Sequence, residues 1–158
     1  MKIIKAPATL KIEGPSVFLA GSIEMGNAVD WQSSITDSIE ESGLFCTVLN
    51  PRREDWDSSW LQSIEDPQFK QQVSWELNAL EKAKVVAMYF APGTKSPISL
   101  LELGLYAESG KMIVCCPHGF WRKGNVDVVC ERYGIPVVET LEELADDIIA
   151  ELEHYARY

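Results

Sequence analysis

The feature that most constrains this chain is a repeated exchange between two hydrophobic periods. Short apolar runs alternate with longer segments whose apolar residues recur every three or four positions. Val17 to Ala20, Leu44 to Leu49, Val85 to Phe90, Met112 to Cys116 and Ile135 to Val138 read as strands. Between the first two, Trp31, Ile35 and Ile39 mark a helix that Gly43 stops. Pro67 opens a helix to about Lys82, and Pro97 opens another to about Ser109, ended by Gly110. A loop from Pro117 to Gly124 leads to a short helix, and Leu141, Leu144, Ile148 and Leu152 form the stripe of a last one. The alternation predicts an α/β fold, a three-layer sandwich around a five-stranded parallel sheet, flavodoxin-like within the broad Rossmann-like class. Such sheets bind ligands beyond the carboxyl ends of their strands. Those ends are Ala20-Gly21-Ser22, Asn50-Pro51-Arg52, Phe90 to Lys95 and Pro117 to Lys123.

Bulk properties narrow the function. The length, 158 residues, predicts a single domain over 1-158 that needs neither disulfide nor metal to hold it. A net charge of −10 argues against a nucleic-acid polymer as partner, because polyanions select clustered Lys and Arg. The acidic residues crowding the C-terminal stretch read as a solvated helix face. Cys46, Cys115, Cys116 and Cys130 form no CxxC pair and read as reduced core thiols of a cytoplasmic protein. His118 and His154 do not make a metal site, and no cofactor motif is present, so none is expected. The N-terminal stretch has no apolar signal core, and no apolar run approaches ~18 residues, so no membrane association is expected.

Two acids stand where apolar residues belong. Phe69, Val73, Glu76, Leu80 and Ala83 follow the spacing of a buried helical seam, with Glu76 inside it. On the next helix Ile98, Leu101, Glu102, Leu105 and Ser109 share a face, and Glu102 is the only charge between Lys95 and Glu108. A carboxylate among leucines must be paired, hydrogen-bonded or beside a cavity. The plainer alternative is pairing with Lys84, Lys95 or Lys111, or snorkelling to the rim. Gly104 inside that helix costs about 1 kcal/mol relative to alanine and signals a close approach to the backbone, by a ligand or by the sheet. Gly21-Ser22, with Gly26-Asn27 beyond, is either a plain turn or a set of N–H groups for a sugar hydroxyl or phosphate. Ser96, just before Pro97, either caps its helix or offers its hydroxyl to a ligand. Arg52, Arg53, Trp56 and Trp60 stack on a planar base or pack against a partner subunit. His118, Phe120, Trp121, Arg122 and Asn125 form a second such cluster.

Three segments in order carry a family resemblance. Val17-Phe18-Leu19-Ala20-Gly21-Ser22, then Trp75-Glu76-Leu77-Asn78-Ala79-Leu80 with Ala83-Lys84-Val85-Val86, then Leu101-Glu102-Leu103-Gly104 with Ala107 and Gly110-Lys111 resemble the nucleoside 2-deoxyribosyltransferases and the related deoxynucleoside 5'-monophosphate N-glycosidases. The resemblance covers roughly Val17 to Val138. It implies that Glu102 attacks the anomeric carbon and forms a covalent deoxyribosyl-enzyme. It implies that Glu76, at a position usually held by Asp, binds the base and helps protonate the leaving nitrogen. Gly21, Ser22, Trp75, Ser96 and Arg52 would line the substrate, and Asn125 would be lent to a neighbouring subunit's site, making the enzyme a homo-oligomer, a dimer or higher. Tyr158 is placed as in family members whose terminal carboxylate enters the adjacent site. The chain departs from the transferases at Ser96, where they usually carry Asp, and this favours a 5'-phosphate. The expected partners are a small deoxynucleoside or deoxynucleotide and a free nucleobase. Three functions follow: transfer of 2-deoxyribose between bases, hydrolysis of a deoxynucleoside 5'-monophosphate, or a non-catalytic nucleotide-binding module.

Overall fold

The computed structural model describes residues 1–23 and 29–158; the Gly26-Asn27 pair lies outside the described residues. The strands are β1 (Lys2–Lys5), β2 (Ser16–Gly21), β3 (Thr47–Asn50), β4 (Val85–Tyr89), β5 (Met112–Cys115) and β6 (Val137–Val138). The helices are α1 (Trp31–Glu41), α2 (Pro67–Lys82), α3 (Pro97–Tyr106), α4 (Lys123–Tyr133) and α5 (Leu141–Ala156), and a 3-10 turn, Ala107–Ser109, follows α3. Sequence-local chemistry sets several helix starts. Asp66 accepts from the backbone N–H groups of Gln68 and Phe69 at 3.0 and 3.1 Å, with Pro67 in the first turn. Thr140 and Glu143 close a reciprocal capping box on α5.

All strands pair in parallel in the order β1-β3-β2-β4-β5-β6. Counted from β2, this is the doubly wound, flavodoxin-like order, with the strand sequence reversing between β2 and β4. Strand side chains alternate between two cores. Val17, Leu19, Val85, Ala87, Ile113 and Cys115 face α1 and α5, where Trp31, Ile35, Leu144 and Ile148 close the layer. Phe18, Ala20, Val86, Met88 and Val114 face α2, α3 and α4, through Trp75, Ala79, Leu80, Leu103, Val126 and Cys130. Burial on both faces is why these strands read as unbroken apolar runs. All four cysteines are buried and free. Among the described residues no helix is long and apolar enough to cross a membrane.

The α/β sandwich matches the expectation, with two differences of detail. The sheet has six strands among the described residues, one more than the apolar runs indicate. The added strand is an edge: Lys-Ile-Ile-Lys offers only two apolar residues and pairs with β3 alone, so it carries no long hydrophobic run. The buried seam of α2 is also rotated from the spacing read in the sequence. Gln72, Trp75, Ala79 and Leu80 are buried, whereas Val73 is exposed and Glu76 half-buried at the rim.

The topological reversal concentrates strain at Gly21. Its φ is +130°, and a Cβ there would lie 2.3 Å from the carbonyl oxygen of Tyr89 on the neighbouring strand. Backbone on backbone cannot give way as a flexible side chain can. Gly21→Ala is therefore expected to lower stability by at least about 2 kcal/mol, read as a drop of roughly 5 °C or more in thermal midpoint. An unchanged midpoint would contradict the close approach.

Candidate active site

The carboxyl ends of β2 and β4 meet in a cluster of hydroxyls. Gly21 brings Ser22 against Tyr89, whose carbonyl accepts from the Ser22 backbone N–H at 2.9 Å and from its hydroxyl at 3.2 Å. The Ala91 N–H donates to Ser22 Oγ at 2.9 Å. Ser22 Oγ lies 2.6 Å from Ser96 Oγ and 3.1 Å from Thr94 Oγ1, and those two are 2.9 Å apart. Thr94 gives its proton to the Ala91 carbonyl at 2.8 Å. Ser96 is buried and adopts a left-handed conformation, φ 45°, without a side-chain cap bond to its helix. The capping alternative is thus not realised: the Ser96 hydroxyl joins the cluster at the N-terminal, electropositive end of α3. Thr94 carries no mark in the hydropathy pattern; its one signal is the spacing Thr-x-Ser just ahead of a helix-opening proline.

One and a half turns along α3 lies Glu102, 7% exposed. Its helix is oriented contrary to hydropathy. Ser99, Glu102 and Leu103 point inward, while Ile98, Leu101 and Leu105 are each more than half exposed. Glu102 has no hydrogen-bond or ion-pair partner among the described residues. Two of the lysines that could have paired with it are engaged elsewhere. Lys111 Nζ donates to the carbonyls of Leu80, Glu81 and Ala83 at the end of α2, and the Lys95 ammonium lies 4.2 Å from the Trp121 ring centre. A methyl group added at Gly104 would meet nothing within 4 Å among the described residues, so neither the sheet nor a side chain of its own chain crowds that position.

Glu76 supplies the second carboxyl. Burial pushes it up to about 7, against the pull of a hydrogen bond from Gln72 Nε2 at 2.7 Å. Burial, with the charge of Glu76 added, pushes Glu102 up to about 8. Both acids are thus held toward their neutral forms. Gln72, which also donates to the Pro51 carbonyl at 3.0 Å, is a partner of Glu76 that periodicity does not reveal; its signal is a polar residue one turn before Glu76 on the buried side.

The other expected residues have more structural placements. Trp75 is buried, donates to the Ala8 carbonyl at 2.7 Å and packs edge-on against Phe18. Arg52 donates to Gln32 Oε1 and to the Val29 carbonyl, both at 3.0 Å, and pairs with Asp30 at 3.3 Å, bracing the start of α1. Arg53 forks onto Asp55 and lies over Trp60, which meets Trp56 edge-on. Trp121 stands between Lys95 and Arg122 and donates to the Lys95 carbonyl at 2.9 Å. Asn125 is exposed on the first turn of α4, and Tyr158 is exposed at the chain end. Two surface hollows, of about 190 and 730 Å³, lie around the strand starts and include neither acid; both include Lys84 and Tyr155.

The sequence profile of the family described as nucleoside 2-deoxyribosyltransferase like matches residues 14–120, which span β2 through the loop after β5. No curated protein matches the chain. Among solved structures, a conserved protein from Enterococcus faecalis is similar at a TM-score of 0.59 and 11% identity, over 90% of this chain and 99% of that one. A flavodoxin-like domain from Synechococcus sp. gives a TM-score of 0.49 at 11% identity, again over 90% and 99% of the two chains.

The raised acids make stability depend on pH in a definite direction. A carboxyl whose folded value lies above its unfolded one binds more protons in the native state, so stability falls as pH rises from about 4.5 toward 8. Glu102→Gln, which mimics the neutral acid, is expected to melt above wild type at pH 8 to 9 and to converge with it near pH 5. Parallel melting curves at all pH values would contradict the burial of a titrating Glu102.

Proposed function

Because the chain belongs to the nucleoside 2-deoxyribosyltransferase-like family, we propose that it cleaves the N-glycosidic bond of a deoxynucleoside and passes the 2-deoxyribosyl group to a second base through a covalent intermediate on Glu102. The observation that carries this reading is a buried carboxyl without a countercharge among the described residues, beside a second carboxyl. Such a group has little to bind until positive charge develops next to it. An oxocarbenium-like C1' supplies that charge, and the carboxylate then bonds to it. Interactions stronger in the transition state than in the ground state are the ones that accelerate a reaction.

Proton placement follows from the pair. With one proton shared, one acid is an anion and the other a donor, which is what displacement with base protonation requires. In the free protein burial raises both acids, and the charge of Glu76 raises Glu102 further. A base nitrogen accepting from Glu76 and positive charge at C1' both place the shared proton on Glu76. In the first half-reaction a Glu102 oxygen bonds to C1', the C1'–N bond breaks, its electron pair leaves with the base, and the Glu76 proton follows. The incoming base gives its N–H proton to Glu76 and displaces Glu102.

A second reading, hydrolysis of a deoxynucleoside 5'-monophosphate, is favoured by the hydroxyl cluster. Ser96, just before α3, and Glu102 on it are six residues apart, about 9 Å along the helix axis, which leaves room for a pentose with contacts at both ends. Ser22, Thr94 and Ser96 at a helix N-terminus, with Lys95 and Arg122 beside Trp121, suit an anionic 5' substituent.

A second copy of the chain completes the enzyme in this proposal. Ile98, Leu101 and Leu105 on α3 leave an apolar stripe exposed, and the open space at Gly104 admits close approach of another backbone. Asn125, exposed at the start of α4, is available to a neighbouring site.

Incubating the protein with a deoxynucleoside and a different free base is expected to yield a new deoxynucleoside; release of base solely from the 5'-monophosphate would establish the hydrolytic reading instead. Glu76→Gln should slow turnover roughly 10²–10⁴-fold, and Glu102→Ala more. Ligand binding without turnover, unchanged by Glu102→Ala, would make the chain a non-catalytic nucleotide-binding module. Leu101→Glu is expected to shift the sedimentation coefficient to that of a monomer and to lower activity in parallel; a wild type that already sediments as a monomer at full activity would refute the shared site.

A further inference from the structure

We propose that Gln72 is a positioning residue that fixes which oxygen of Glu76 delivers the proton to the leaving base. The inference rests on the reading of Glu76 as the base-side acid and adds a residue that neither the family match nor the sequence assigns. Gln72 precedes Glu76 by one turn of α2 and is 5% exposed. Its Nε2 donates to two acceptors, the Pro51 main-chain carbonyl at 3.0 Å and Glu76 Oε1 at 2.7 Å. A main-chain carbonyl can only accept, so the amide cannot be reversed: Gln72 Oε1 would then face the Pro51 carbonyl.

Holding this orientation has a visible cost. Among the described residues Gln72 Oε1 is buried with no hydrogen-bond partner. An orphaned buried acceptor is destabilising, and such groups in folded proteins call for an explanation beyond packing. Here the amide is retained for its two donors. Pro51 belongs to the turn at the carboxyl end of β3, so the brace ties the acid to the sheet and not merely to its own helix.

The consequence is directional. Glu76 Oε1 accepts from Gln72 in both protonation states, so the proton of the neutral acid sits on Oε2. When the C1'–N bond breaks and its electron pair leaves with the base, the Oε2 proton goes to the base nitrogen. The resulting carboxylate keeps its hydrogen bond at Oε1, and Oε2 takes the proton of the next base. Without Gln72 the proton is free to occupy either oxygen, and half of the orientations aim it away from the base.

The test separates delivery of a proton from mere packing by choice of leaving group. Turnover of deoxyguanosine is compared with that of its N7-methyl derivative, whose base is already cationic and leaves without protonation; should the wild type act solely on pyrimidines, deoxyuridine is compared with its 5-fluoro analogue, whose base leaves more readily as an anion. The 5'-monophosphates replace the nucleosides if those are what the wild type turns over. Gln72→Met is expected to slow the ordinary substrate at least about tenfold and the activated one less than about threefold, with Glu76→Gln showing the same pattern more strongly. The ratio of the two rates is insensitive to the fraction of protein folded, and Gln72→Leu, which likewise lacks both donors, serves if Gln72→Met does not fold. Equal slowing of both substrates, or of neither, overturns the role of Gln72 alone. A wild type that turns over neither substrate overturns the glycosidic reading together with it.

Discussion

Desolvation of two carboxyl groups without a compensating cation among the described residues is the constraint around which this molecule is arranged. Withdrawing a carboxylate from water costs several kcal/mol unless a partner replaces the lost hydration. Glu76 receives one hydrogen bond and Glu102 none among the described residues. The remainder of the cost is met by the protein's large core, in which each fully buried aliphatic side chain contributes about 1.5–3 kcal/mol. Val17, Leu19, Leu49, Leu80, Val86 and Met88 are all essentially inaccessible on the two faces of the sheet. A chain of this size can therefore carry two unfavourable acids and still fold.

The sheet topology decides where those acids stand. Reversal of strand order between β2 and β4 opens the crevice in which doubly wound sheets bind their ligands. Gly21 permits the two strands to close to backbone contact there, Ser22 ties their ends together, and Ser96 extends the same hydrogen-bonded cluster into the first turn of α3. The helix carrying Glu102 is thereby fixed to the sheet at its N-terminus. Lys111, holding three carbonyls at the end of α2, fixes the other helix at the opposite end. Both acids are borne on elements anchored to the sheet, which is the kind of preorganisation a transition state can use.

Much of this is legible in the sequence because burial on both faces leaves uninterrupted apolar strands, and because Pro67, Pro97 and Gly110 mark helix limits. The edge strand is not, since one-sided pairing needs little hydrophobic run. Helix rotation is harder to read. The leucines around Glu102 suggest a buried acid among apolar neighbours; the acid is buried, but Leu101 and Leu105 face outward. Hydropathy cannot distinguish an apolar stripe meant for the chain's own core from one left at the surface. For the same reason spacing alone puts the α2 seam on Val73, when Gln72 and Trp75 occupy it. Polar residues that satisfy backbone carbonyls, as Gln72 and Trp75 do, carry no periodic signal and emerge only once Pro51 and Ala8 are brought near.

Direct capture of the intermediate tests the central claim. Protein mixed with a 2'-fluorinated deoxynucleoside, whose electron-poor sugar slows release, is quenched in acid and digested, and the peptides are weighed by mass spectrometry. One deoxyribosyl-type adduct, on the peptide containing Glu102 and assigned to that side chain by fragmentation, is the predicted result. Base release without any adduct, or an adduct on a different residue, would contradict it.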